Sequence, residues 1–171
     1  MIPLSLSSSI LSSTCACISR LVGHKGFELI CQAFNGIMDM DVQFVVLGTG
    51  EGGYEQFFRN AQNNFPGKVS ANIMYSAPLS TAIYSGADLF LMPSIGLSQM
   101  FAMRYGTVPV VRMTGGLLDS VPAFDPSTDT GLGFTFGSVD AGDMLGALYR
   151  AVGVYYDDKE AWSRLVTRDM E

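Results

Sequence analysis

Arg20 and Lys25 carry the first chemical signal in this sequence. They flank the segment RLVGHKG, with four residues between them. Set across a turn that follows a strand, two such cations can clamp a diphosphate through charge-assisted hydrogen bonds. The same spacing suits two solvated loop charges, and spacing alone does not choose. Thr114-Gly115-Gly116-Leu117 is a second candidate. Adjacent glycines let a backbone approach a ligand and turn N–H groups toward phosphate oxygens. A plain glycine-rich connection looks the same. Gly48-Thr49-Gly50-Glu51-Gly52-Gly53 formally matches GxGxxG. A dinucleotide site also needs an acid about 20 residues further on, at the end of the next strand, to hold a ribose. That stretch reads Asn72-Ile73-Met74-Tyr75 and has no acid. The glycines are therefore read as a tight turn bordering a cleft.

Other residues carry weaker signals. Tyr75 can stack on a base or belong to the core. His24 is the sole histidine, and no GxSxG or other nucleophile pattern accompanies it. It is read as a loop residue. Asp88 and Asp119 read as turn and helix acids, not catalytic ones. Met92, Met100, Met103 and Met113 read as core filler. Cys15, Cys17 and Cys31 are odd in number and lack framework spacing, which points to reduced, buried thiols. The Cys15-x-Cys17 pair with His24 offers too few ligands for a metal. No cofactor, metal or catalytic residue is expected.

These residues need elements to hold them. Short apolar runs predict strands over Thr14–Ile18, Val42–Leu47, Val69–Tyr75, Asp88–Met92, Val108–Val111 and Gly133–Phe136. Helical spacing predicts helices over Gly26–Met38, Tyr54–Asn64, Leu79–Ser85, Leu97–Tyr105, Ala141–Tyr155 and Lys159–Arg168. Alternating strands and helices imply right-handed βαβ units and a mainly parallel sheet. The expected fold is a Rossmann-like three-layer α/β/α domain. Ligands bind such sheets outside the carboxyl ends of the strands, where every candidate above falls.

Composition narrows the classes. A chain of 171 residues with 48% hydrophobic and 15% charged residues fits one folded domain. A net charge of -6 argues against nucleic acid as a partner. No apolar run approaches the roughly 20 residues of a membrane helix, so no membrane partner is expected. The first residues, MIPLSLSSSILSSTCAC, are Ser-rich and acid-free but hold no Lys or Arg before Arg20. They read as a ragged end left by truncation or gene-model error, not as a complete targeting signal.

Taken in order, SRLVGHKG (Ser19 to Gly26), FVVLGTGE (Phe44 to Glu51), SGADLFLMPS (Ser85 to Ser94), GLSQMFAMRYGTVPVVRMTGGLLDSV (Gly96 to Val121) and GFTF (Gly133 to Phe136) resemble one family. It is the C-terminal domain of bacterial glycogen synthases and plant or algal starch synthases, retaining glycosyltransferases of the GT-B fold. They move glucose from ADP-glucose to an α-1,4-glucan. The resemblance implies that Arg20 and Lys25 hold the diphosphate and that Tyr75 lies against the adenine. It implies that Gly115, Gly116 and Leu117 contact the distal phosphate and sugar, with Thr114 in the same loop. Gly48 joins this ADP-glucose set. The resemblance also implies a plastid if the source is plant or algal, and a cytoplasm if it is bacterial.

Two departures shape the functional expectation. Family members carry Phe-Glu-Pro-Cys where this chain runs directly Pro93-Ser94-Ile95-Gly96-Leu97. Between Asp88 and Asp119 no Asp or Glu replaces that glutamate. The family's N-terminal domain, with most of the acceptor site, is also absent. Residues 1–17 are expected to be a non-family segment and 18–171 the nucleotide-sugar-binding domain. The expectation is an ADP- or ADP-glucose-binding half that is inactive alone and meets α-1,4-glucan only if an N-terminal domain is supplied. The alternatives are a fragment of a complete active transferase and a non-catalytic regulatory protein derived from a synthase. A dinucleotide oxidoreductase ranks below both.

Overall fold

Apolar residues that alternate along each strand and recur every three to four positions along each helix build the fold. In the computed structural model, which describes residues 12–171, six strands form one sheet. They are β1 (Ser13–Ile18), β2 (Val42–Leu47), β3 (Val69–Asn72), β4 (Leu89–Met92), β5 (Val108–Arg112) and β6 (Phe134–Phe136). Their order is β3-β2-β1-β4-β5-β6, and every pairing is parallel. The helices are α1 (Phe27–Met38), α2 (Gly52–Asn64), α3 (Ala77–Gly86), α4 (Ser98–Arg104), α5 (Leu117–Ser120), α6 (Ala141–Asp157) and α7 (Lys159–Met170). The expected Rossmann-like class is the one found.

Strand alternation assigns the two faces. Cys15, Phe44, Val46, Leu89, Leu91, Val110 and Phe134 join Ile30, Phe34 and Phe58 of α1 and α2 and Leu148 and Leu165 of α6 and α7. Ala16, Phe90, Met92 and Val111 point the other way, to Tyr84, Ala102, Met103 and Leu117 on α3, α4 and α5. Caps fix several helix starts. The Ser76 hydroxyl accepts from Leu79 N at 3.2 Å, Asp140 from Asp143 N at 2.9 Å and Asp158 from Ala161 N at 2.9 Å.

Several expectations change. The strand expected to reach Tyr75 stops at Asn72, because its partner β2 ends opposite at Leu47 and Met74 N turns back to Asn72 O. The boundary drawn between residues 17 and 18 falls inside β1, whose Ser13–Ile18 pairs in full register with β2. The rest of that expected segment, residues 1–11, lies outside the described residues. Cys15 and Cys17 are buried, and burial raises both thiols, Cys17 to about 12. Met92 and Met103 are core residues. Met100 and Met113 are not: they sit on the outer side of α4 and past the end of β5, about half exposed.

The strand order reverses direction at β1. The chain leaves β1 toward β2 and β3, then crosses to β4 on the other side. The carboxyl ends of β1 and β4 thus flank the crevice where such sheets hold ligands.

Candidate functional site

The loops at the carboxyl edge stand in a row set by the strand order: Tyr75 beyond β3, Gly48 beyond β2, Arg20 and Lys25 beyond β1, Ser94 to Gly96 beyond β4, and Thr114 to Leu117 beyond β5. With strands about 4.8 Å apart, the ends of β3 and β1 are roughly 10 Å apart.

The loop after β1 is locked to the loop after β2. Ser19 N donates to Leu47 O at 3.2 Å, Leu21 N to Thr49 O at 2.9 Å and Glu51 N to Leu21 O at 2.8 Å. Leu21 and Gly50 form a parallel bridge, so the β1–β2 ladder continues past both strands. A Cβ on Gly48 would run into the Ser19 carbonyl oxygen, and one on Gly50 into that of Leu21. Gly48 and Gly50 are therefore required by close backbone approach, whereas a side chain at Gly52 or Gly53 would meet open space. Glu51 and Glu55, the acids of this corner, accept from Gly23 N at 3.3 Å and Gly50 N at 3.0 Å. They are committed to holding the loops.

That scaffold presents Arg20 on the surface, its guanidinium without a protein partner among the described residues. Lys25 ends a short 3-10 turn, Gly23–Lys25, and Gly26 follows in the left-handed conformation at φ 80°. The Lys25 ammonium donates to the Ile95 carbonyl at 2.8 Å, and the Ser94 hydroxyl to the His24 carbonyl at 2.8 Å. A Cβ on Gly26 would stand 2.7 Å from Pro93 Cγ. The β1 and β4 loops are thus latched together, a feature sequence reasoning did not find. Nothing in residue spacing marks a carbonyl 70 positions away as the partner of Lys25.

Across from them, Gly115 has φ 52° and Gly116 opens α5. Neither glycine N–H has a protein partner among the described residues. Leu117 is placed differently: its side chain is buried under α5 and its N–H donates to Thr114 O at 3.1 Å. Tyr75 is 92% exposed, which excludes the core alternative and leaves its ring face open.

Asp88 lies at the opposite end of the sheet, accepting from Thr14 N at 2.8 Å; burial raises its carboxyl. His24 and Arg112 line an open cavity of about 380 Å³ with Glu28, Gln32 and Ser94. The Arg112 Nε is buried without a partner among the described residues. Sequence reading passed over Arg112, although a cation closing the apolar strand VPVV was a usable signal.

Residues 12–152 match the family model described as Glycosyl transferases group 1. The glycogen synthase of Thermotoga petrophila is 49% identical over 157 residues, which is 90% of this chain and 32% of that protein. The glycogen synthase of Kosmotoga olearia is 50% identical over 157 residues, 90% of this chain and 33% of that protein. Among solved structures, the catalytic domain of starch synthase IV from Arabidopsis thaliana, bound to ADP and acarbose, superposes with a TM-score of 0.89 at 39% identity. It covers 98% of this chain and 36% of that one. Sucrose-phosphate synthase from Thermosynechococcus elongatus superposes at a TM-score of 0.72 and 20% identity, a likeness of fold. It covers 99% of this chain and 40% of that one. The chain spans about a third of the length of the glycogen synthases it matches.

Proposed function

The chain belongs to the glycosyl transferases group 1 family, and from that premise we propose that it is the ADP-glucose-binding half of a glycogen or starch synthase-like glucosyltransferase. One observation carries the reading. Arg20, whose guanidinium has no partner among the described residues, and Gly115 and Gly116, whose N–H groups have none, stand on the loops after β1 and β5 at the carboxyl end of the sheet, on either side of the β4 loop. Cations and backbone N–H groups so arranged suit a diphosphate. The exposed ring of Tyr75, beyond the end of β3, suits a base stacked at the far end of the row. Gly48 and Thr114 belong to the ligand set as loop residues bordering the phosphates, and Leu117 contributes by anchoring its loop.

Transfer by this chain alone is expected at background. No carboxylate lies between Asp88 and Asp119 to face the sugar, so charge developing there in the transition state goes unstabilised. The span of a third of its relatives' length favours a second reading, that the chain works beside a further domain supplying the acceptor wall. Calorimetric titration with ADP tests the binding claim, and the absence of heat at millimolar ADP would defeat it. Radiolabelled glucose from ADP-glucose should not enter glycogen with this chain alone. Transfer that appears on adding an N-terminal synthase domain would establish the second reading.

A further inference from the structure

The loop after β4 does more than omit an acid. Its residue Ile95 touches both sides of the crevice. The Ile95 carbonyl accepts from the Lys25 ammonium at 2.8 Å. On the other side, a Cβ on Gly115 would stand 3.5 Å from Ile95 Cδ1. Strand order forces this, because β4 lies between β1 and β5 and its loop emerges between theirs. The hydroxyl of Ser94 on the His24 carbonyl and the packing of Pro93 on Gly26 hold the loop against the β1 side. The cavity of about 380 Å³ that Pro93 and Ser94 also border runs along Glu28 and Arg112 and does not have Ile95 in its walls, and between Ile18, Lys25, Pro93, Ile95 and Ser98 only about 40 Å³ remains. That is room for about one water, whereas small-molecule pockets run to roughly 300 Å³ or more.

We infer that Ile95 fills the sugar end of the nucleotide site, so that this chain takes a nucleoside diphosphate in preference to its hexose conjugate. The inference rests on the nucleotide reading above and specifies which half of the ligand the site accepts. A diphosphate competes well for Lys25, since its oxygens add the attraction of a full negative charge that the neutral Ile95 carbonyl lacks. Arg20 and the N–H groups of Gly115 and Gly116 are already open to it. A hexose gains nothing comparable. Its hydroxyls would meet the apolar side chain of Ile95, which is largely exposed, and the β4 loop brings no carboxylate of its own. Hydroxyl groups pressed against apolar surface lose water and find no partner.

The test is calorimetric titration of the full chain with ADP and with ADP-glucose, for the natural sequence and for Ile95→Ser. Ile95 is 54% exposed, so the variant should keep its circular dichroism spectrum and unfolding midpoint. The natural chain should bind ADP about 10-fold more tightly than ADP-glucose, a difference of about 1.4 kcal/mol. Ile95→Ser should shrink that ratio about fivefold or more, mainly through tighter ADP-glucose binding. Equal affinities in the natural chain, or a ratio that Ile95→Ser leaves unchanged, would overturn the inference and leave nucleotide binding standing. Failure of both ligands to bind either protein would remove the nucleotide reading and this inference with it.

Discussion

The two faces of the sheet carry different loads. Toward α1, α2, α6 and α7 the strands pack one large apolar cluster that contains two groups of aromatic rings. Phe34 meets Phe44, Phe57 and Phe58 edge-on at 5.3 to 6.2 Å, and Trp162 stacks on Phe134 at 6.4 Å. Toward α3, α4 and α5 the cluster is smaller, and Leu97, Met100, Phe101 and Tyr105 of the α4 region stay exposed. The larger cluster supplies most of the apolar burial that holds the domain together. The other face and the carboxyl edge can therefore change without unfolding it.

Substitutions can break or sharpen this contrast. Phe58→Ala, in the middle of the larger cluster, should cost about 3–5 kcal/mol by chemical denaturation. A loss below 1 kcal/mol would show that the cluster does not dominate. Arg20→Ala should leave the unfolding midpoint unchanged and weaken ADP binding by about 10- to 100-fold, as expected for a lost charged hydrogen bond of roughly 1.5–3 kcal/mol. Unchanged ADP affinity would place the phosphates elsewhere.

Asp169 probes the seam between the faces, because its helix α7 touches both α4 and β5. Both carboxyl oxygens are buried without a partner among the described residues. Burial pushes the carboxyl up from 3.8 to about 8, with Arg168 opposing. The folded state therefore keeps a proton that the unfolded state releases between those values, and stability falls as pH rises through that window. Asp169→Asn should flatten the decline and gain roughly 1–3 kcal/mol at pH 8. A natural chain equally stable at pH 5 and pH 8 would contradict this. The smallest effect is expected at Met100→Gln on the exposed side of α4, within about 0.5 kcal/mol by the same denaturation assay.

Much of the fold was legible because its signals are local. VQFVVL and DLFLM read as strands from apolar runs, and the helix after Gly26 from its spacing. Where an element ended was less legible, since that depends on a neighbour. β3 stops at Asn72 because β2 stops at Leu47, which no window around Tyr75 reveals. Arg20, Lys25 and the Gly115-Gly116 turn stood out by residue type and position after strands. The latch from Lys25 to Ile95 did not, because it joins two loops that meet only through the sheet order. Leu117 shows the same limit: its loop was found, but the direction of its side chain follows from the α5 turn.

The central place of β1 also orders how the molecule can assemble. β1 can pair with β2 as soon as residue 47 is available, and β3 can follow on the outer edge. The other edge of β1 has no partner until Leu89–Met92 docks, a pairing between residues more than 70 positions apart. For that interval the middle of the future sheet is an open strand edge, the kind of template that recruits other chains. Refolding from denaturant should accordingly be most vulnerable to aggregation before β4 docks. Once docked, the amides of β1 should be among the slowest in the protein to exchange with solvent.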